Sequence, residues 1–364
     1  MIAEPTAVTR TLASFAASIA YDSVPEAVAE RTRALIMDQF GIALRARHEA
    51  ELTGAALAAV NELGMGAGNA TVLGEAKGYA PPAAAFLNGV FGHSLDFDDT
   101  HAAGSIHPSA PIVPAALAAA EMCSASGRDT IAAIVAGYEI QIRLSLALNP
   151  TEHYRQGFHP TATCGVFGAA AAAGRVFGLS AHEIAQALGL AGSQAAGSMQ
   201  FLADGAWNKA FHVGHAAMSG LASATFARNG FRGAAGAIEG DAGFLHAYAP
   251  NPDPEVAVAG LNEHWETLAI AVKPYPSCRY GHAAMDALIE LKAGNDLDLA
   301  AIESIEIGLP ATGMRIIGDP VPEKQNPTNY VDGQFSMPFV AAVALREGGM
   351  SWDSYAQHLN DPET

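Results

Sequence analysis

The chain has 364 residues, long enough for two domains with at least one large core. Its 37 acidic against 19 basic side chains leave a formal charge of −18, which excludes a general nucleic-acid binder, because neutralising phosphates needs clustered Lys and Arg. Three cysteines, Cys123, Cys164 and Cys278, far apart and odd in number, speak against a disulfide framework and for a reducing compartment, and no uncharged stretch stays apolar over the ~20 residues that a bilayer demands.

The first residues, with Glu4, Thr6, Thr9 and Arg10, do not form a charged-then-apolar leader, so a soluble, cytoplasmic protein is expected, with no membrane partner. From Val24 to Leu44 the apolar positions Val28, Leu35, Ile36 and Phe40 recur at helical spacing, with Ser23 available as N-cap and Pro25 in the first turn. Alanine-rich segments at Pro114–Glu121 and Gly168–Gly174 add strong helix formers. A further helix follows Asp129, with Ile131, Ile134, Val135, Tyr138 and Ile142 on one stripe, and another starts at the capping box Ser180-Ala-His-Glu183. Near Asn251-Pro-Asp-Pro254 the pattern breaks. Beyond it, Thr267–Lys273 and Ile302–Leu309 read as strands and His282–Lys292 as a helix, and after a Pro-rich loop another helix begins near Gln334. The expectation is a mainly α protein: a large all-helical domain over residues 1–260 and a smaller α/β domain over 261–364, which stops at Thr364 without a closing strand and is expected to be incomplete.

Four clusters concentrate the ionisable groups. His93-Ser-Leu-Asp96-Phe-Asp98-Asp99-Thr100-His101 runs on to His107-Pro-Ser109 and an apolar helix; each aspartate there could equally be a helix cap. Tyr154-Arg-Gln-Gly-Phe-His159-Pro-Thr161 repeats the device of a histidine ahead of a helix, where backbone N–H groups can hold an anion. Lys209 and His212 sit among apolar residues, and Lys273 and Arg279 share one turn with His282. No spacing is diagnostic of a metal, so none is expected. The pair Asp98-Asp99 lacks the second acidic cluster and the arginines that a magnesium-dependent diphosphate site would need.

Taken in order, Leu87-Asn-Gly89 with His93, the run from Leu95 to His101, His107-Pro-Ser109, Gly157–Thr163, Lys209 with His212, Lys273–His282 and Gln334–Phe339 resemble the MmgE/PrpD family. The resemblance spans nearly the whole chain. It implies a helical domain with an α/β lid, a homodimer with its active site in the cleft between domains, and acid–base chemistry without a cofactor on a small di- or tricarboxylate. By motif, Asp96, Thr100, His107, His159, Lys209 and Lys273 match active-site positions of the decarboxylase branch, while Tyr154 and Lys209 match the acid–base pair of the epimerase branch. His107, Tyr154, His159, Lys209 and Lys273 are thus the catalytic candidates, and Asp96, Thr100, His212 and Arg279 the substrate-binding ones. The decarboxylase branch has a histidine where Cys278 stands, so a 2-methylcitrate dehydratase-like hydro-lyase is the first expectation. A cis-aconitate-type decarboxylase, an iminodisuccinate-like epimerase, or an inactive shortened member that binds or assembles are the alternatives. The shared chemistry moves a proton at a carbon next to a carboxylate, creating an enediolate-like anion that preorganised Lys and His can stabilise.

Overall fold

The computed structural model describes residues 7–295, 297–362 and 364; Glu4 and Thr6 lie outside them. The chain is mainly α, as its composition leads one to expect, and it forms two compact units. The first holds residues 7–94, 98–199 and 208–272, and the second 95–97, 200–207 and 273–364.

The first unit is built from α1 (Val8–Ser18), α2 (Glu26–Glu49), α3 (Thr53–Glu62), α4 (Pro81–Ser94), α5 (Ser109–Cys123), α6 (Gly127–Ala147), α7 (Pro150–Arg155), α8 (Pro160–Val176), α9 (Ala181–Ala191), α10 (Asn208–Arg228) and α11 (Phe244–Tyr248). Two strand pairs stitch its loops: β1 (Ala70–Thr71) with β2 (Gly78–Tyr79), and β3 (Thr100–His101) with β4 (Ile270–Ala271), both antiparallel. Its core is rich in alanine, with Leu12, Phe15, Ile112, Ile134, Tyr138, Phe167 and Leu188 supplying bulk. Helix α6 has the length and apolar character of a membrane span, but 89% of that window is buried inside the protein, which is the position of a core helix.

Local chemistry explains where the helices start. At α9 the expected capping box closes, with Ser180 Oγ accepting from the Glu183 N–H and Glu183 accepting from the Ser180 N–H. Ser23 does not cap α2. Pro25 takes that place, and the Ser23 hydroxyl instead accepts from the Ala20 N–H at 3.1 Å in a short turn.

The alanine and glycine content pays off in backbone contact. At the α4–α10 crossing a side chain on Gly89 would meet Gly214 Cα at 2.9 Å, and one on Gly214 would meet the Phe86 carbonyl at 2.5 Å. The two helices touch through their main chains, which carries the last turn of α4 to the first turns of α10.

The expected strands are where sequence and structure part. Within Thr267–Lys273 only Ile270 and Ala271 form a strand, because the Glu139 carboxylate captures the N–H groups of Glu266 and Thr267 at 3.2 and 2.9 Å and holds the residues before them in a 3-10 turn. Ile302–Leu309 forms no ladder among the described residues. Alternation selects an extended backbone, but a strand also needs a neighbour, and no described segment pairs with it. The second unit therefore contains no strand among its described residues and is not the α/β domain expected. It is made of α12 (His282–Asn295), a helix at Met337–Glu347 capped by Ser336, and shorter turns, packed around Met285, Phe335, Phe339, Val343 and Tyr355.

Substitution at the crossing should be costly. Gly214→Ala is expected to destabilise the protein by about 1–3 kcal/mol, as overpacking does, whereas Gly41→Ala, in an exposed stretch of α2 with open space around it, should gain up to about 1 kcal/mol in urea titration.

Candidate active site

The polar residues from His93 to His107 are sorted into distinct places by the turn that leaves α4. Asp96 adopts a φ of 48°, a left-handed conformation that Asp tolerates better than most residues. Two residues later, Asp98 is fully buried in the first unit. Its Oδ2 lies 2.7 Å from His93 Nδ1 at the end of α4 and 3.3 Å from His107 Nδ1 ahead of α5. Asp99 accepts from the N–H of Ser109, the first residue of α5, at 3.0 Å, and from its hydroxyl, which in turn meets Tyr138 Oη at 2.6 Å. This aspartate is a helix cap. His101 is held by Glu266 at 3.1 Å and by the Gly104 N–H at 3.0 Å.

Around Asp98 the imidazoles gather. His159 is the N-cap residue of α8, and its ring stacks on His93 at 5.7 Å between centroids and 17° between planes. The His107 ring meets His93 edge-on at 4.7 Å, and its backbone N–H donates to Thr161 Oγ1 on α8 at 3.3 Å. On α10, Lys209 and His212 lie one turn apart and are both buried, with His212 5.6 Å from His159. Thus His107, His159, Lys209 and His212, drawn from three motifs up to 105 residues apart by their numbers, lie in one unit.

Burial dominates the electrostatics. It opposes ionisation of Asp98, yet His93 and His107 outweigh it and hold that carboxyl well below its usual range. Burial brings His93 down to about 3, against the pull of Asp98, and His212 to about 4; His159 is driven well below the ordinary imidazole value by burial, then by the neighbouring His93, His212 and Lys209. At neutral pH these three rings, His93, His159 and His212, are neutral, each offering one N–H and one lone pair. His93, Asp98 and His107 also place one ligand atom each within 4.8 Å of one another, a set that could hold a divalent ion of the zinc type. The 2.7 Å between His93 Nδ1 and Asp98 is the length of a charge-assisted hydrogen bond, so protons satisfy the same atoms.

Residues 10–257 match the MmgE/PrpD N-terminal domain and residues 275–364 the MmgE/PrpD C-terminal domain. The chain belongs to the MmgE/PrpD family. A cis-aconitate decarboxylase of Aspergillus terreus is 28% identical over 93% of this chain and 71% of its own length, and a cis-aconitate decarboxylase-like protein of Aspergillus oryzae is 28% identical over 98% and 77%. The human cis-aconitate decarboxylase is 31% identical over 81% of this chain, which spans 62% of that relative. With relatives of this kind, this MmgE/PrpD chain is an enzyme of lyase type.

The other expected site residues of this family member have partners of their own. Tyr154, on α7, donates its hydroxyl to the Ser105 carbonyl at 3.1 Å. Thr100 sits in β3, paired with Ala271. Asp96 and Lys273 meet in the second unit: the buried ammonium lies 3.1 Å from Asp96 Oδ2 and donates to the Asp96 and Ser277 carbonyls at 2.7 and 3.0 Å. Its hydrogens are committed to protein groups, which makes Lys273 a support for the strained Asp96 turn. Arg279 is exposed in the turn before α12, and the Cys278 N–H donates to the Gln334 carbonyl at 2.9 Å. Missing from the expected site were His93 and Asp98. The pointer to them was the histidine at the end of an apolar helix, five residues ahead of an aspartate.

Two expectations follow. Removing one partner of a buried ion pair strands the other, so Asp96→Asn should destabilise the protein by about 3–5 kcal/mol in chemical denaturation, while Asp96→Asn combined with Lys273→Met should restore much of the loss. The second concerns acid. Six imidazoles, His93, His153, His159, His212, His215 and His282, are held low chiefly by burial. The unfolded chain protonates them near 6.5, so the stability they contribute is present above that pH and is lost as the pH falls toward about 4 for His212 and His282 and about 3 for His93. Asp38 and Asp99, raised by burial to about 6 and about 8, act oppositely, their contribution being lost as the pH rises from 3.8. The imidazoles outnumber them. The urea midpoint should fall between pH 6.5 and 4, and more shallowly in His93→Phe; a flat profile would mean that these rings are not buried in neutral form.

Proposed function

We propose that this protein is a cofactor-free acid–base lyase on a small tricarboxylate, and that its reaction is the dehydration of a hydroxy acid of the 2-methylcitrate kind. The observation that supports the reading is the buried cluster in which the imidazoles of His93, His107, His159 and His212 and the Lys209 ammonium gather around a carboxylate close to two of the rings. Dehydration needs a base and an acid in one turnover. The base breaks a C–H bond beside a carboxylate, that electron pair forms the C=C bond, the C–O bond breaks, and the hydroxide leaves as water with a proton from the acid. His107, with the Asp98 carboxylate behind it, is assigned as base and His159 as acid. Lys209 and His212 hold the carboxylate on which charge develops, where a preorganised donor is worth about 10²–10³ in rate.

A second reading is decarboxylation, which the names of the relatives favour. There the C–C bond to a carboxylate breaks, CO₂ leaves and the carbanion takes a proton, so a single acid suffices. The pair of imidazoles on one carboxylate, and a cysteine at 278, favour the two-proton reaction.

Purified protein incubated with 2-methylcitrate, citrate, cis-aconitate and iminodisuccinate, followed by NMR, separates these reactions. Loss of water from 2-methylcitrate is the expected result, and CO₂ release from cis-aconitate in its place would establish the second reading. Lys209→Met and His159→Ala should each cut kcat by at least about 100-fold with an unchanged melting curve. EDTA should leave turnover unchanged; loss restored by one divalent ion would return His93, Asp98 and His107 to the role of ligands.

A further inference from the structure

His93 has one ring nitrogen occupied and one spare. Nδ1 lies 2.7 Å from Asp98 Oδ2. Asp98 is ionised and can only accept, so Nδ1 carries the hydrogen and Nε2 is left as a bare lone pair. The ring does not gain a second hydrogen, because burial brings His93 to about 3. The side chain is fully buried, and Nε2 has no hydrogen-bond partner among the described residues. Neither nitrogen of the stacked His159 ring has one. Together the two rings present two acceptors and one donor in the buried interior, and unsatisfied buried polar atoms of this kind mark the place of a polar guest.

The tautomer restricts that guest. A lone pair on a neutral ring repels a carboxylate oxygen and accepts from an O–H group. We propose that His93 Nε2 is the acceptor for the substrate's hydroxyl, so that the site selects hydroxy-polycarboxylates over their unsaturated or deoxygenated counterparts. An O–H that donates to His93 turns its oxygen lone pairs outward, where the N–H of His159 can reach them. His93 is thus a specificity-determining residue and Asp98 the positioning residue that sets its tautomer. The inference rests on the polycarboxylate reading and adds the group that the substrate must carry. The charged and titratable neighbours of the two rings, Asp98, His107, Lys209 and His212, belong to the same cluster.

Citrate and tricarballylate differ only by the hydroxyl and serve as the probe pair in calorimetric titration. The wild-type protein should bind citrate about 10–100-fold more tightly, the range set by one hydrogen bond to an otherwise unsatisfied buried atom. In His93→Phe the ratio should fall to near one, with tricarballylate bound as before. A folded His93→Phe protein that keeps the wild-type ratio overturns the assignment. The tautomer has its own readout: nitrogen-15 NMR of histidine-labelled wild-type protein should show His93 with Nε2 unprotonated at neutral pH, and a protonated Nε2 overturns the proposal even if His93→Phe fails to fold. If neither acid binds, the polycarboxylate reading falls, while the tautomer result still decides whether His93 is an acceptor.

Discussion

Asp98 is a negative charge placed where water cannot reach it, and the chemistry of the first unit is arranged around that fact. A lone carboxylate in such a place would take up a proton; here the rings of His93 and His107, at 2.7 and 3.3 Å, keep it ionised. In return it fixes which nitrogen of His93 bears hydrogen, and so which atom of that ring remains to accept. Burial then keeps His93, His159 and His212 neutral, so these rings can accept and give protons without first having to shed a standing charge.

What the amino-acid order makes legible depends on the range of the interaction. The capping box at Ser180 and the stripe on α6 are set by residues three or four apart, and both are found where the pattern puts them. The meeting of His107, His159, Lys209 and His212 follows the order of motifs shared with the MmgE/PrpD family. The pairing of Lys273 with Asp96 spans 177 positions and leaves no local trace, so a lysine among prolines reads as a cation awaiting substrate although it is already engaged. The extended run at Ile302–Leu309 fails for a related reason: alternation is local, and a sheet partner is not. His93 and Asp98 are read as part of an ionisable cluster but not as site residues, because their contact depends on how the chain turns after α4, through a left-handed aspartate that composition does not announce.

The acidic run between Leu95 and His101 also shows that similar side chains close in sequence can have unrelated duties. Asp96 braces a turn, Asp98 orients two rings and Asp99 caps a helix, and a count of carboxylates would have merged them into one site. Each duty is defined by its donors: an ammonium, two imidazoles, and a hydroxyl with an amide.

The main-chain contact between α4 and α10 acts as a fixed ruler. Where side chains separate two helices, exchanging a larger residue for a smaller one can slide them together or apart. With Gly89 against Gly214 there is nothing left to shorten, and lengthening either one collides with backbone. The spacing between the His93 end of α4 and the Lys209 end of α10 is therefore not adjustable in small steps. Any adaptation of this scaffold to a longer or shorter acid has to be taken up by the loops that carry His107 and His159.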